Sequence, residues 1–269
     1  MTRFRTILAA ALAVSALGGA AAAAAQQPPA PTPSPRARAP VDLAGYWVSI
    51  VTEDWRWRMM TPPKGDYSSV PLTAAARKVA DAWDPARDAA AGEACRAYGA
   101  AAIMRVPGRI RITWENDTTL RVDAEAGTQT RLFRFMPSGV EGFAPSAAEG
   151  FGGGATQVPA GAPSWQGRSA AQWQIAGARR GAPPAGGSLR VVTKGMRPGY
   201  LRKNGVPYSA NAVVTEYYNR TNEPNGDSWL IVTTIVEDPV YLTGRFVTSS
   251  HFKKAADGSI WNPTPCEAT

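Results

Sequence analysis

The sequence predicts a mainly β protein, an antiparallel barrel or strongly bent sheet with a short helical insertion. Three observations favour this fold class: short runs in which apolar and polar residues alternate, turn-forming glycine, proline and asparagine between those runs, and no long amphipathic helical pattern. We count about nine or ten strand-like segments, and closing so many strands into a barrel removes the exposed sheet edges.

Residues 1–25 predict a secretory signal. Arg3 and Arg5 give a positive start, an alanine-rich apolar run follows, and small side chains precede the expected cleavage after Ala25. A membrane anchor is the alternative, but the run is weakly hydrophobic and no second span of about 20 apolar residues follows it. We therefore expect a periplasmic or secreted protein that is not an integral membrane protein.

Residues 26–40 are dense in proline, which predicts an extended, solvated tether before a single β-rich domain at 41–269. The net charge of the chain is +8, and it falls to about +6 once the signal is removed. Such a charge favours an anionic partner. The basic residues are spread along the chain instead of forming a run, so we expect no nucleic-acid partner.

The first strand is predicted to continue through 52–60, which reads TEDWRWRMM. Successive side chains of a strand face opposite ways, so Trp55 and Trp57 would share one face and Arg56 and Arg58 the other. If the tryptophans face the core, the segment is structural. If the arginines face inward, they are strong anion-binding candidates.

A helical insertion is predicted at about 73–98. Thr73 is a suitable N-cap, an apolar stripe follows, and the first helix should end before Pro85. A second short turn carries Cys95 and should stop at Gly99.

The chain contains two cysteines, Cys95 and Cys266, which are 171 positions apart. In an oxidising compartment an even count favours a disulfide, and two free thiols are the alternative. The predicted bridge would tie the end of the chain to the helical insertion.

Residues 109–136 predict three antiparallel strands, with Asn116 and Asp117 at the first turn. In the third strand Arg131 shares a face with Phe133. Two segments rich in glycine, alanine and proline predict flexible loops at about 137–163 and 178–188, the second lying within a hairpin.

The last third of the chain predicts four more strands, LRVVTKG, AVVTEYYNR, SWLIVTTIVEDP and GRFVTSSHFKK. Between the first two lies MRPGYLRKNGVPYS, a connection whose glycines permit close backbone approach. Its Tyr200, Arg202 and Tyr208 carry polar groups on apolar bodies and are candidates for a binding site.

Several of these segments, in order, resemble a group of exported bacterial proteins of unassigned activity. The shared patterns are W-x-G-x-S-x-x-x-W in PSWQGRSAAQW, G-x-P-x-S in PGYLRKNGVPYS, T-E-x-Y/F in VVTEYYNR and E/D-D-P in TIVEDPVYL. The chain departs from the group in its loops at 150–162 and 178–187. The resemblance implies a lipocalin-like β-barrel and implies no reaction.

Catalytic and metal-binding residues are few. His251 is the only histidine, there is no G-x-S-x-G motif, and we expect neither a metal site nor a cofactor. Three kinds of site are weighed. A Ser-His-Asp triad would combine His251 with Asp238 or Asp257 and with Ser249, Ser250 or Ser209, and an acid–base pair would use two of the carboxylates Glu53, Asp54, Glu216, Glu237 and Asp238. A calcium turn would use Asn222, Glu223, Asn225 and Asp227.

The function predicted from the sequence is periplasmic binding of a small or extended amphipathic ligand, with an anionic group favoured, inside the barrel. The alternatives are a hydrolase or lyase that uses carboxylates, and an envelope interaction protein that binds polyanions. A structural ion pair between Arg131 and Glu216, with tryptophans filling the barrel, is the competing interpretation. The predicted ligand-binding residues are Trp55, Arg56, Trp57, Arg58, Arg131, Tyr200, Arg202 and Tyr208.

Overall fold

The computed structural model describes residues 32–136, 156–175 and 186–268. The predicted signal, residues 1–25, lies outside the described residues. The strands are β1 Gly45–Ile50, β2 Arg109–Asn116, β3 Thr119–Ala124, β4 Gln129–Phe135, β5 Arg168–Ile175, β6 Gly187–Lys194, β7 Gly199–Arg202, β8 Val206–Tyr208, β9 Val213–Asn222, β10 Ser228–Glu237 and β11 Phe246–Lys254. The helices are α1 Trp55–Arg58, α2 Ala74–Asp81 and α3 Pro85–Ala90, with 3₁₀ turns at Ala94–Tyr98, Ile103–Arg105 and Ala126–Thr128.

Nine strands close into a barrel in the order β1-β11-β10-β9-β6-β5-β4-β3-β2, and β7 and β8 form a separate hairpin. The predicted β-barrel with a short helical insertion is confirmed. Every neighbouring pair is antiparallel except β4 and β5, which run parallel. An odd number of strands cannot alternate in direction all the way around a closed ring, so one parallel pair is required and the barrel is mixed.

Large side chains fill the interior of the barrel. Trp47, Phe133, Tyr218 and Phe252 are fully buried there, together with aliphatic residues from most of the strands. These side chains pack against one another in the part of the barrel that the structure describes, which favours a packed interior over a ligand chamber.

A buried ion pair also crosses this interior. Both carboxylate oxygens of Glu216 accept hydrogen bonds from Arg131, at 2.9 and 2.6 Å, and both side chains are buried. The guanidinium of Arg131 also donates to the hydroxyls of Tyr218 and Thr193. Arg131 is thus part of the barrel core, in a structural ion pair with Glu216.

The helices gather at one end of the barrel, where β1 ends and β2 begins, and we call this the helical end. The β7–β8 hairpin connects β6 to β9 at the same end. A second apolar cluster joins these parts, with Ala76 and Ala80 of α2 packed near Val206 and Phe246. Thr73 caps α2 by accepting a hydrogen bond from the amide of Ala76, which confirms the predicted helix start.

The predicted strand at 52–60 is wrong, because this segment turns away from the sheet and forms α1. The ladder between β1 and β11 ends at Ile50, although β11 itself continues in that direction as far as Phe246, so the chain leaves the sheet at this point. Asp54 adopts a left-handed conformation with φ of 50°, a region that Asp tolerates better than most residues. Local hydrogen bonds then close the helical turn, from the amide of Trp57 to Asp54 and from that of Met59 to Trp55.

The predicted disulfide between Cys95 and Cys266 is present. After β11 the tail runs back along the barrel, because the amide of Ala255 donates to Tyr46 near the start of β1 and that of Thr264 donates to Glu125 after β3. The bridge therefore holds the tail against the helical end.

Replacing Cys95 and Cys266 by serine is expected to lower the free energy of unfolding substantially. The bridge closes a loop with a sequence separation of 171, for which the chain-entropy estimate is about 5 kcal/mol as an upper value. Denaturant titration of the oxidised protein and the double variant measures the loss. Equal stability would contradict a structural role, and a reducing agent should leave the double variant unchanged.

The hairpin of β5 and β6 is present as predicted, while 137–155 and 176–185, which contain most of the two predicted loops, lie outside the described residues. The end of the predicted tether contacts the barrel, because the indole of Trp173 donates to the carbonyl of Pro35 at 2.8 Å. Among the described residues, no helix combines the length and apolar character needed to span a bilayer.

Candidate functional site

Three arginines surround a pocket of about 380 Å³ at the helical end. Arg58 is the last residue of α1, Arg105 ends the 3₁₀ turn before β2, and Arg202 is the last residue of β7. Their exposed fractions are 7%, 5% and 3% respectively. Arginine is almost never this buried without full pairing, so each environment must be accounted for.

The guanidinium of Arg58 is held by two hydrogen bonds. Its Nε donates to the carbonyl of Arg105 at 2.8 Å, and its Nη2 donates to the hydroxyl of Ser49 at 3.3 Å. Its Nη1 is buried and has no hydrogen-bond partner among the described residues.

Arg105 forms an ion pair with Asp54, from Nη1 to Oδ2 at 2.7 Å. Its guanidinium also lies 5.5 Å from the ring centre of Phe246. Its Nη2, like the Nη1 of Arg58, is buried and unpartnered in the described part of the chain.

Arg202 lies against an aromatic ring and offers an unused edge. Its guanidinium carbon is 4.7 Å from the ring centre of Trp57, and its Nη1 donates to the carbonyl of Ser68 at 2.7 Å. Its Nε and Nη2 have no partner among the described residues. These two nitrogens form one side of the guanidinium fork, the side that binds carboxylate or phosphate with two parallel hydrogen bonds.

The positive charge of Arg105 repels those of Arg58 and Arg202. Burial, together with the charge of Arg105, lowers the pKa of Arg58 to about 10, and the same two causes lower the pKa of Arg202 to about 10. Both remain protonated at neutral pH, so the fold maintains desolvated like charges at a cost. The carboxylates near the cluster are Asp54 and Glu53 beside Arg58, Asp54 and Asp66 beside Arg202, and Glu267 in the pocket wall.

The rest of the pocket wall mixes apolar and polar side chains, and its residues come from five segments. It is lined by Met59, Met60, Ala97, Ala102, Val106, Pro107, Ala126 and Leu201, with Thr61, Tyr98, Lys203, Thr264, Pro265 and Glu267 completing it. The disulfide-anchored tail supplies the last three of these residues. The pocket therefore combines basic groups with apolar side chains.

No family model, curated protein or solved structure matches this chain.

The eight site residues predicted from the sequence do not lie together in the structure. Trp57, Arg58 and Arg202 meet at the pocket, so parts of the WRWR segment and of the PGYLRKNGVPYS connection lie together. Trp55 and Arg56, one turn away on α1, are exposed.

The other three predicted residues lie away from this pocket. Arg131 is in the barrel core. Tyr200 donates to Asp88 at 2.7 Å beside a second, shallower pocket of about 350 Å³, and burial with this bond raises its pKa to about 12. Tyr208 is fully buried against Gly99 and Gly199, where any larger residue would collide with its hydroxyl.

Arg105 was not predicted from the sequence, although a signal for it exists. It stands within AAAIMRVP, a continuous apolar run from 100 to 107 interrupted by this one charge. A charge inside such a run indicates a buried charge with a specific partner.

Of the catalytic and metal-binding candidates, Glu53 and Asp54 lie beside the arginine cluster, and none of the others lines the pocket. His251 contacts Glu53 at 2.8 Å, Thr52 at 2.8 Å and Ser249 at 3.1 Å on the outer side of β11, so neither Asp238 nor Asp257 is the acid beside it. Asp238 instead accepts hydrogen bonds from the amide and hydroxyl of Ser209.

The turn at Asn222, Glu223, Asn225 and Asp227, which was weighed as a calcium site and not expected to be one, is engaged by a cation of the chain itself. Lys253 pairs with Asp227 at 2.8 Å. No cluster of three or more metal-binding side chains occurs within 32–136, 156–175 and 186–268.

Proposed function

We propose that this chain is an exported protein that binds a small amphipathic anion in the pocket at the helical end. One observation carries the proposal: Arg58, Arg105 and Arg202 line the pocket, all are more than nine-tenths buried, and four of their guanidinium nitrogens lack a partner among the described residues.

An anion suits this cluster better than any neutral group. A carboxylate, sulfate or phosphate offers acceptors to the unused fork of Arg202 and to Arg58 and Arg105, and its charge offsets the repulsion among them. The exposed apolar wall accommodates a short chain attached to the anionic group. The volume of about 380 Å³ is near the lower end of the range for small-molecule sites.

Isothermal titration calorimetry with hexyl sulfate and with uncharged hexanol tests this proposal. We expect saturable binding of hexyl sulfate and none of hexanol at the same concentrations. Arg134→Met is the matched control, because Arg134 is an exposed arginine on β4 and its replacement should leave binding unchanged. Equal binding of hexyl sulfate and hexanol, or a loss in Arg134→Met as large as in Arg202→Met, would overturn the proposal.

The affinity for hexyl sulfate is expected to be constant from about pH 7 to pH 9 and to fall above about pH 10. The pKa of Arg58 and Arg202 is lowered to about 10 in the free protein. Above that value binding must be preceded by uptake of a proton, while the sulfate keeps its charge throughout. Titrations at a series of pH values, with circular dichroism to verify folding, measure the effect. An affinity that stays constant to pH 11 would show that these groups do not contact the anion.

A further inference from the structure

Three large apolar side chains are exposed beside the pocket. Trp55, Met59 and Met60 have exposed fractions of 66%, 61% and 77%. They are three of the eight large hydrophobic residues exposed among the described residues, and they fall within six positions of the chain. We call these three residues the apolar rim.

The apolar rim is continuous with the proposed anion site. Met59 and Met60 line the same pocket as Arg58 and Arg202. Trp55 begins the helical turn that Arg58 ends. Monomeric proteins seldom collect exposed aromatic and methionine side chains in so short a segment without a contact surface to serve.

The charge around the rim favours an anionic partner. Within 52–66 and the pocket wall there are six cations and four carboxylates. The cations are Arg56, Arg58, Lys64, Arg105, Arg202 and Lys203, and the carboxylates are Glu53, Asp54, Asp66 and Glu267. Asp66 is engaged by Arg56 at 2.9 Å, and Asp54 by Arg105.

Tryptophan prefers the boundary between lipid headgroups and acyl chains, and flexible methionine adapts to an irregular apolar surface. Basic groups next to such residues add electrostatic attraction to anionic lipids. A lipid bilayer therefore satisfies both the rim and the arginines at once.

We propose that the apolar rim docks on an anionic lipid bilayer and that a lipid headgroup phosphate enters the pocket between Arg58, Arg105 and Arg202. This inference rests on the proposed anion-binding function and identifies its ligand as a membrane lipid. The rim inserts among the headgroups, and the arginines bind the phosphate below it.

Vesicle flotation tests the docking. The probes are vesicles of equal parts phosphatidylglycerol and phosphatidylcholine, and vesicles of phosphatidylcholine alone. We expect the protein to float with the anionic vesicles and to bind the neutral ones at least tenfold more weakly. The variant Trp55→Ser/Met59→Ser/Met60→Ser changes exposed side chains only, and its partition onto anionic vesicles should fall at least tenfold.

The control variant is Val247→Ser/Ile260→Ser, because both residues are exposed apolar side chains outside the rim. Its partition should equal that of the unaltered protein. Calorimetry with soluble hexyl sulfate is run on every variant. Because Met59 and Met60 line the pocket and Trp55 does not, the single variant Trp55→Ser is also made. It should bind hexyl sulfate within about threefold of the unaltered protein, while its partition onto anionic vesicles falls at least threefold.

The outcomes separate the two proposals. Hexyl sulfate binding without vesicle binding overturns the docking and leaves the anion site standing. Vesicle binding that the triple variant retains, or that the control variant loses equally, also overturns it. Absence of hexyl sulfate binding refutes the anion site and with it this inference.

Discussion

Replacing Arg202 by methionine is expected to weaken hexyl sulfate binding about 30-fold or more, because removing one partner of a buried, charge-assisted contact costs about 2 kcal/mol or more. Arg202 offers two unpartnered nitrogens on one edge of its guanidinium, more than Arg58 or Arg105 offers. It is therefore the residue whose loss should affect the anion most.

The same replacement is expected to change the free energy of unfolding by no more than about 1 kcal/mol. It removes the hydrogen bond from Arg202 to the carbonyl of Ser68 but also removes a desolvated charge next to Arg105. Methionine keeps an apolar contact with Trp57. Calorimetry and denaturant titration of the variant measure both effects, and a severe loss of stability with unchanged affinity would show that Arg202 is structural.

Replacing Arg131 by methionine is expected to have the opposite pattern, a loss of about 3 to 5 kcal/mol in the free energy of unfolding with hexyl sulfate affinity unchanged in the folded protein. The variant leaves the carboxylate of Glu216 buried without its guanidinium partner. It also removes a donor to the hydroxyls of Tyr218 and Thr193.

A companion variant identifies the unpaired charge as the cause. Arg131→Met/Glu216→Leu removes both charges, and it should recover at least half of the lost stability, because buried ion pairs are often replaceable by apolar residues of similar volume. Denaturant titration compares the two variants. If the double variant is less stable than Arg131→Met, the ion pair is not what the single replacement disrupts.

Much of the barrel was predictable from the sequence because its strands carry their own signals. Ile110 and Ile112 on β2 alternate with Arg109, Arg111 and Thr113, and both isoleucines face the core. The parallel pairing of β4 with β5 was not predictable, because the relative direction of two strands depends on the connection between them and not on the strands themselves.

The site was predictable only in part. The aromatic and basic character of 52–60 was visible in the sequence. However, the alternation of tryptophan and arginine there is typical of a strand and gave no sign of the turn at Asp54. Whether a side chain such as Arg58 faces a pocket or solvent depends on where the chain turns. The position of this turn depends on packing against residues far away in the sequence. Arg131 and Arg202 both lie on strands, and only the tertiary structure places one beside Glu216 and the other beside Trp57.

Anomalous diffraction from crystals soaked in selenate tests the anion site most directly. We expect a selenium peak in the pocket at the helical end, with its oxygens about 3 Å from guanidinium nitrogens of Arg58, Arg105 and Arg202. Selenate bound only at exposed lysines or arginines elsewhere, with the three guanidinium groups contacting one another or protein atoms alone, would contradict the account.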